Sequence, residues 1–123
     1  TNAQSRALEE AFVRNGLPYH LIGALRFYSR KEIKDILAYL RLVINPNDEI
    51  SLRRIYNVPK RNIGKISFSE FKKFAAKNEI KITELLLDSE KIKQASLESA
   101  NLAKWLKLSS ALIEIKETAN KKV

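Results

Sequence analysis

The chain has 123 residues, 45% hydrophobic and 30% charged, a profile of one soluble domain long enough to bury a core. It has no cysteine and a single histidine, which excludes disulfides, thiolate metal sites and a structural zinc site. The formal net charge is +9, and the excess is concentrated: residues 46–78 carry +5, against +3 over 1–45 and +1 over 79–123, a footprint for a polyanionic partner.

Residues 4–15 are predicted as a first helix, with Ala7, Leu8, Ala11 and Phe12 at i, i+1, i+4 and i+5. Asn15-Gly16 stops it and Pro18 prevents resumption. Tyr19 to Ile22 is a short, β-prone, apolar run ended by Gly23, and it is expected to be a strand. A lone strand cannot satisfy its own ladder, so the segment reads as part of an α/β layer whose other strands lie elsewhere. His20 reads as a packed strand residue, because no second titratable group sits near it in sequence.

Ser29-Arg-Lys-Glu32 is a capping box that opens a helix through about Ile44. Ile33, Ile36, Leu37, Leu40, Val43 and Ile44 give it a broad apolar face, with Asp35 off that face. Asn45-Pro46-Asn47 ends it and marks a domain boundary between 1–44 and 45–123, since the chain turns more basic just after. A short helix then runs from Asp48 to Tyr56, capped by Asn47 or Asp48, with Ile50, Leu52 and Ile55 inward.

Asn57-Val-Pro-Lys-Arg-Asn-Ile-Gly64 follows, a helix-hairpin-helix-like turn spanning 57–67 with its flanks. Pro59 pushes Val58 out of the helical region, and Gly64 and Asn62 tolerate positive φ. Ser67 to Glu70 reads as a second capping box whose first amides face the turn. Lys60, Arg61 and Lys65 surround those amides with positive charge, a phosphate-binding arrangement. After it, Phe68, Phe71, Phe74 and Ala75 form a core stripe. Thr83 caps a brief helix, and a last helix spans about Ser96 to Asn120. The face of that helix, from Leu102 to Ala119, is wide enough to want neighbours on more than one side, and part of it is expected to meet another chain or a missing segment.

No catalytic constellation is present, and the phosphate-binding loop GxxxxGK[ST] is missing. With a start at Thr1, this reads as a piece of a larger intracellular protein. No signal peptide and no membrane-length apolar run is visible, so no membrane partner is expected.

Thr1-Asn-Ala-Gln-Ser-Arg6, Leu17-Pro-Tyr19, Arg26 to Asp35, Ala38-Tyr-Leu-Arg41 and the 57–64 hairpin occur in one order and spacing. Together they resemble the UvrD/PcrA/Rep helicases of superfamily 1, above all the PcrA type, strongly over 1–70 and by pattern beyond. The resemblance implies a fragment of a bacterial, cytoplasmic, ATP-dependent 3′–5′ DNA helicase of repair and replication. ATP and Mg2+ are cofactors of the parent, none bound here. The nucleotide loops lie outside this chain, so the fragment alone is expected to be inactive.

Residues 1–44 then belong to the RecA-like motor domain 2A, and 45–123 to the accessory domain 2B. The fold class that follows is mainly α, a small helical domain plus a short N-terminal α/β piece. Asn2 matches a position on the single-stranded DNA backbone. Lys60 and its turn match the hairpin that grips duplex DNA, and Ser67 a hydroxyl position there. The implied DNA-binding set is Asn2, Lys60, Arg61, Asn62, Ile63, Gly64, Lys65 and Ser67. Asn62 departs from a family glycine, and Gly23-Ala24 from a Gly-Gly pair. The alternative is a protein-interaction and autoregulatory module, self-associating through the last helix or the orphan strand.

Overall fold

The computed structural model describes residues 2–21 and 23–121, with every side chain among them except those of Asn2, Ala24 and Leu25. Among these residues the fold is entirely helical: α1 (Asn2–Arg14), α2 (Ala24–Phe27), α3 (Arg30–Ile44), α4 (Glu49–Ile55), α5 (Lys65–Lys77), α6 (Ile82–Leu85), α7 (Ser89–Ile92) and α8 (Ser99–Asn120). α1 and α3 lie on α8, α3 packs on α4, and short α6 and α7 link α4 and α5 back to α8.

Two of the expected caps form. Ser29 Oγ accepts from the Glu32 amide while Glu32 accepts from the Ser29 amide, so both orphan donors at the α3 start are used. Asp48 caps α4 through the Ser51 amide at 3.0 Å. The buried face of α3 is rotated from its predicted line. Ala38, Tyr39 and Leu42 are buried, whereas Leu37 and Ile44 are exposed. Asp35 is buried with them, tied to Arg54 Nε at 2.8 Å. On α4, Leu52 and Ile55 are inward as expected, but Ile50 faces solvent.

The strand expected at 19–22 is not formed, and Ile22 lies outside the described residues. Side chains satisfy this backbone instead of a ladder. The His20 amide donates to Tyr28 Oη (2.7 Å), the Leu21 amide to Glu9 Oε1 (2.8 Å), and Tyr19 meets Tyr28 edge to face. Thr83 does not cap α6, whose N-cap position is Lys81. Thr83 is the second residue of the helix and buried, its Oγ1 without a hydrogen-bond partner among the described residues.

One hydrophobic cluster runs from Ala11 and Phe12 through Tyr39, Leu52, Phe71 and Leu85 to Trp105 and Ile115. Trp105 stacks on Phe71 at 4.0 Å and 4°, and Tyr56 and Phe68 close around it. The wide face of α8, expected to meet another chain or a missing segment, is covered within this one by α1 and α3. Trp105, Leu108, Leu112 and Ile115 are fully buried. Self-association through that face or through an orphan strand therefore has no basis in the fold.

The indole N–H of Trp105 donates to Ser67 Oγ at 2.9 Å, joining α8 to α5 inside the core. Ser67→Ala leaves that donor buried and unmatched, and is expected to cost about 1–3 kcal/mol in urea unfolding followed by tryptophan fluorescence. Exposed Ser69→Ala should stay within about 0.5 kcal/mol. Equal effects would refute the role given to the Trp105–Ser67 bond.

Candidate nucleic-acid interface

The hairpin starts where α4 ends at Ile55 and passes through a cis Val58–Pro59 peptide to Gly64. Asn57 pins it across the turn: its Nδ2 donates to Ile63 O (2.8 Å) and its Oδ1 accepts from the Ile63 amide (2.9 Å). The Ile63 side chain is buried beneath, which anchors the returning arm. Asn62 forms the crest in the left-handed region at φ 60°, and Lys104 Nζ reaches its carbonyl at 3.0 Å. Gly64, for which positive φ was also expected, sits instead at φ −79° in extended conformation.

Arg61 corrects the expectation of an exposed phosphate ligand. It is 9% exposed and its guanidinium turns inward. Nη1 donates to the carbonyls of Ile55, Tyr56 and Val58, and Nη2 to Tyr39 Oη at 2.9 Å. Tyr39 Oη in turn donates to Val58 O. Burial raises the Tyr39 pKa, although the Arg61 charge and hydrogen bond pull it down. A neutral phenol is what this relay needs, because the hydroxyl must donate and accept at once. Arg61 thus neutralises the carbonyl end of α4 and sets the turn.

The expected capping box of Ser67 and Glu70 is also absent. Gly64 is the N-cap of α5 and supplies no side chain, so the helix begins two residues before Ser67. Ser67 sits at the third helical position with its hydroxyl committed to Trp105. The leading amides of α5 therefore have no side-chain cap. A Cβ placed on Gly64 would meet nothing within 4 Å, so the approach to those amides is open. Lys60, Asn62 and Lys65 are exposed along the turn that leads into them. Asn2 opens α1, and its side chain lies outside the described ones.

The basic stretch 46–78 divides by use. Arg53 and Lys72 bind Glu49, Arg54 binds Asp35, and Arg61 is consumed by carbonyls. Lys60, Lys65, Lys73 and Lys77 have no ion-pair partner among the described residues. The sequence reading gave no bonding role in the hairpin to Asn57, Tyr39 or Lys104. Asn57 was legible as a turn residue whose amide bonds nearby backbone. Tyr39 and Lys104 arrive from distant helices and leave no local signal.

Comparison with known proteins gives this architecture its family. Residues 1–121 match the model of the UvrD-like helicase C-terminal domain, and the chain belongs to that family. It is 43% identical over 123 residues to the ATP-dependent DNA helicase PcrA of Staphylococcus aureus, covering 95% of this chain and 17% of that protein. It is 42% identical to PcrA of Staphylococcus epidermidis over the same shares. The chain spans about 17% of the length of these relatives. No solved structure matches it significantly. No helix among the described residues is long and apolar enough to cross a membrane.

Two measurements check the geometry. Arg61→Lys cannot reach three carbonyls and Tyr39 together. With Tyr39→Phe in a double-mutant cycle, the two positions are expected to couple by about 0.5–3 kcal/mol in urea unfolding, and additive effects would break the relay. The second concerns acid. Asp48 is lowered by hydrogen bonds from Ser51. In Glu49 and Glu114 burial pulls upward but is outweighed by hydrogen bonds from Lys72 and Arg53, and from Asn15 and Arg14. Depressed folded values mean stability that is complete above the unfolded values of about 4–4.5 and lost as pH falls through the folded ones. The urea midpoint should hold from neutral pH to about 5 and drop below about 4; a flat midpoint there would contradict it.

Proposed function

We propose that this chain supplies sequence-independent grip on duplex DNA to a PcrA-like, ATP-dependent 3′–5′ DNA helicase acting in bacterial repair and replication. The observation that carries this is the uncapped, sterically open N-terminus of α5, which begins with exposed Lys65 and follows the turn that carries exposed Lys60. Helix-start amides with lysines beside them are suited to phosphate oxygens, and phosphate contacts position a protein without reading bases. The relatives are ATP-dependent DNA helicases by name, which supports DNA and ATP as the parent's ligands.

In this reading Lys60, Lys65 and the leading amides of α5 from Gly64 onward hold phosphates, because the Ile63 amide is already taken by Asn57 Oδ1. Arg61 and Ser67 shape the turn from beneath, and Asn62 stands at its crest. Asn2 is assigned to the single-stranded backbone. Residues 1–44 are assigned to the motor and 45–123 to the accessory domain, and the ATP and Mg2+ chemistry to parts of the parent outside this chain, so the fragment alone is inactive. The interaction-module alternative is weakened because α1 and α3 already fill the α8 face that motivated it.

Fluorescence anisotropy with a labelled duplex tests this. Lys60→Ala is expected to weaken binding and to reduce the log–log salt slope by about 0.9, one phosphate's worth. Gly64→Ser should act in opposite directions on two readouts. It adds a side-chain cap worth a few tenths of a kcal/mol to stability, yet weakens duplex binding by competing for the same amides. Asn62→Gly should tighten binding by clearing the crest. If Lys60→Ala and Gly64→Ser both leave affinity unchanged, the hairpin is not the duplex grip.

A further inference from the structure

A groove of about 330 Å³ opens beside the hairpin, between the turn that ends α1, the Pro59–Arg61 arm and α8. Its walls carry Arg14, Lys60, Arg61 and Lys107, and no carboxylate lines it. Two of these cations are already matched. Arg14 is bound by Glu114, whose other oxygen accepts from Asn15 Nδ2 at 2.9 Å, and Arg61 is held by carbonyls. Lys60 and Lys107 are exposed and have no ion-pair partner among the described residues.

The floor of the groove is fixed by a close approach. Gly16 takes φ +82°, and a Cβ there would stand 3.1 Å from Pro59 Cγ, so the α1 turn and the hairpin arm abut directly. On α8, Lys104, Lys107 and Ala111 fall at i, i+3 and i+7, a single face. Lys104 reaches the crest of the hairpin at Asn62 O, while Lys107 and small Ala111 line the groove. One face of α8 therefore runs from the crest to the groove, and Lys60 belongs to both.

From this geometry we infer that the groove seats a second phosphate of the same DNA duplex, held between Lys60 and Lys107, which makes α8 part of the DNA-binding face. The inference rests on the hairpin reading above. Two unmatched ammonium groups over a small, open floor suit a phosphodiester. They are point charges that follow a backbone, and the lining amide of Asn15 is occupied by Ala11 O and Glu114. Continuity with the hairpin favours a strand that passes both places over an isolated anion.

The test is anisotropy binding of the 123-residue chain to a duplex of about 20 base pairs, between about 50 and about 200 mM salt. The proteins are wild type, Lys60→Ala, Lys107→Ala, Lys107→Arg and Lys93→Ala, each checked by circular dichroism. Lys107→Ala is expected to lower the salt slope by about 0.9 and weaken binding severalfold. Lys107→Arg should restore both, and Lys93→Ala, which removes a charge already paired with Glu90, should change neither. A Lys107→Ala protein with the wild-type slope, beside a weakened Lys60→Ala, overturns the α8 contact and leaves the hairpin reading standing. Equal losses for Lys93→Ala and Lys107→Ala overturn the site in favour of bulk charge. Absence of wild-type binding overturns both readings.

Discussion

A guanidinium withdrawn from water must find oxygen acceptors, and Arg61 finds four beneath the hairpin: the carbonyls of Ile55, Tyr56 and Val58 and the hydroxyl of Tyr39. No carboxylate is paired with it among the described residues, so the partial negative charge at the end of α4 is its counterion. The consequences spread in both directions along the chain. On one side the bond to Tyr39 ties the turn to α3 and so to the main core. On the other, Arg61 anchors the arm on which Lys60 and Asn62 are displayed. Removing one partner from such a buried polar group leaves the others unmatched, which is why the hairpin and the core behave as one unit.

The second constraint is the aromatic centre. Trp105 lies parallel to Phe71 and to Tyr56, with Phe68 tilted against it, and its indole N–H is answered by Ser67. Tyr56 closes α4, Ser67 and Phe68 open α5, and Trp105 belongs to α8. The hairpin therefore springs from two helices that are clamped on the same indole. A loop that must present amides and lysines to a rigid polyanion gains from such a base, because less conformational entropy is lost on binding.

The positive charge of the chain shows how poorly composition alone locates a binding face. All three arginines in the basic stretch serve the fold: Arg53 and Arg54 are paired and Arg61 is buried. Within that stretch the exposed charge left without an ion pair among the described residues is lysine, on the hairpin and α5. Arginine's planar fork suits fixed acceptors inside a structure, whereas lysine's compact, hydrated charge stays available to a mobile backbone.

Much of the architecture was legible in the residues themselves. The Ser29–Glu32 box, the Asp48 cap, the stop at Asn15-Gly16, the Phe68–Phe71–Ala75 stripe and the hairpin between two helices each depend on residues within a turn or two of one another. The ordered blocks through residue 64 carried the family. What local pattern could not decide was how polar groups would be shared across the fold. Ser67 looks like a cap until Trp105, 38 residues away, takes its hydroxyl. Arg61 and Lys60 are neighbours of like charge, and Arg61 turns inside because the carbonyls that end α4 and Tyr39, 22 residues away, accept from it. The apolar run at Tyr19 lacks a strand partner, so Glu9 and Tyr28 supply its acceptors and it stays irregular. Sequence determined the helices, the turn and the sign of the surface, because these follow from short-range sterics and charge. Tertiary structure decided which polar side chains are spent on the fold and which remain for a ligand, because that depends on partners far apart in the chain.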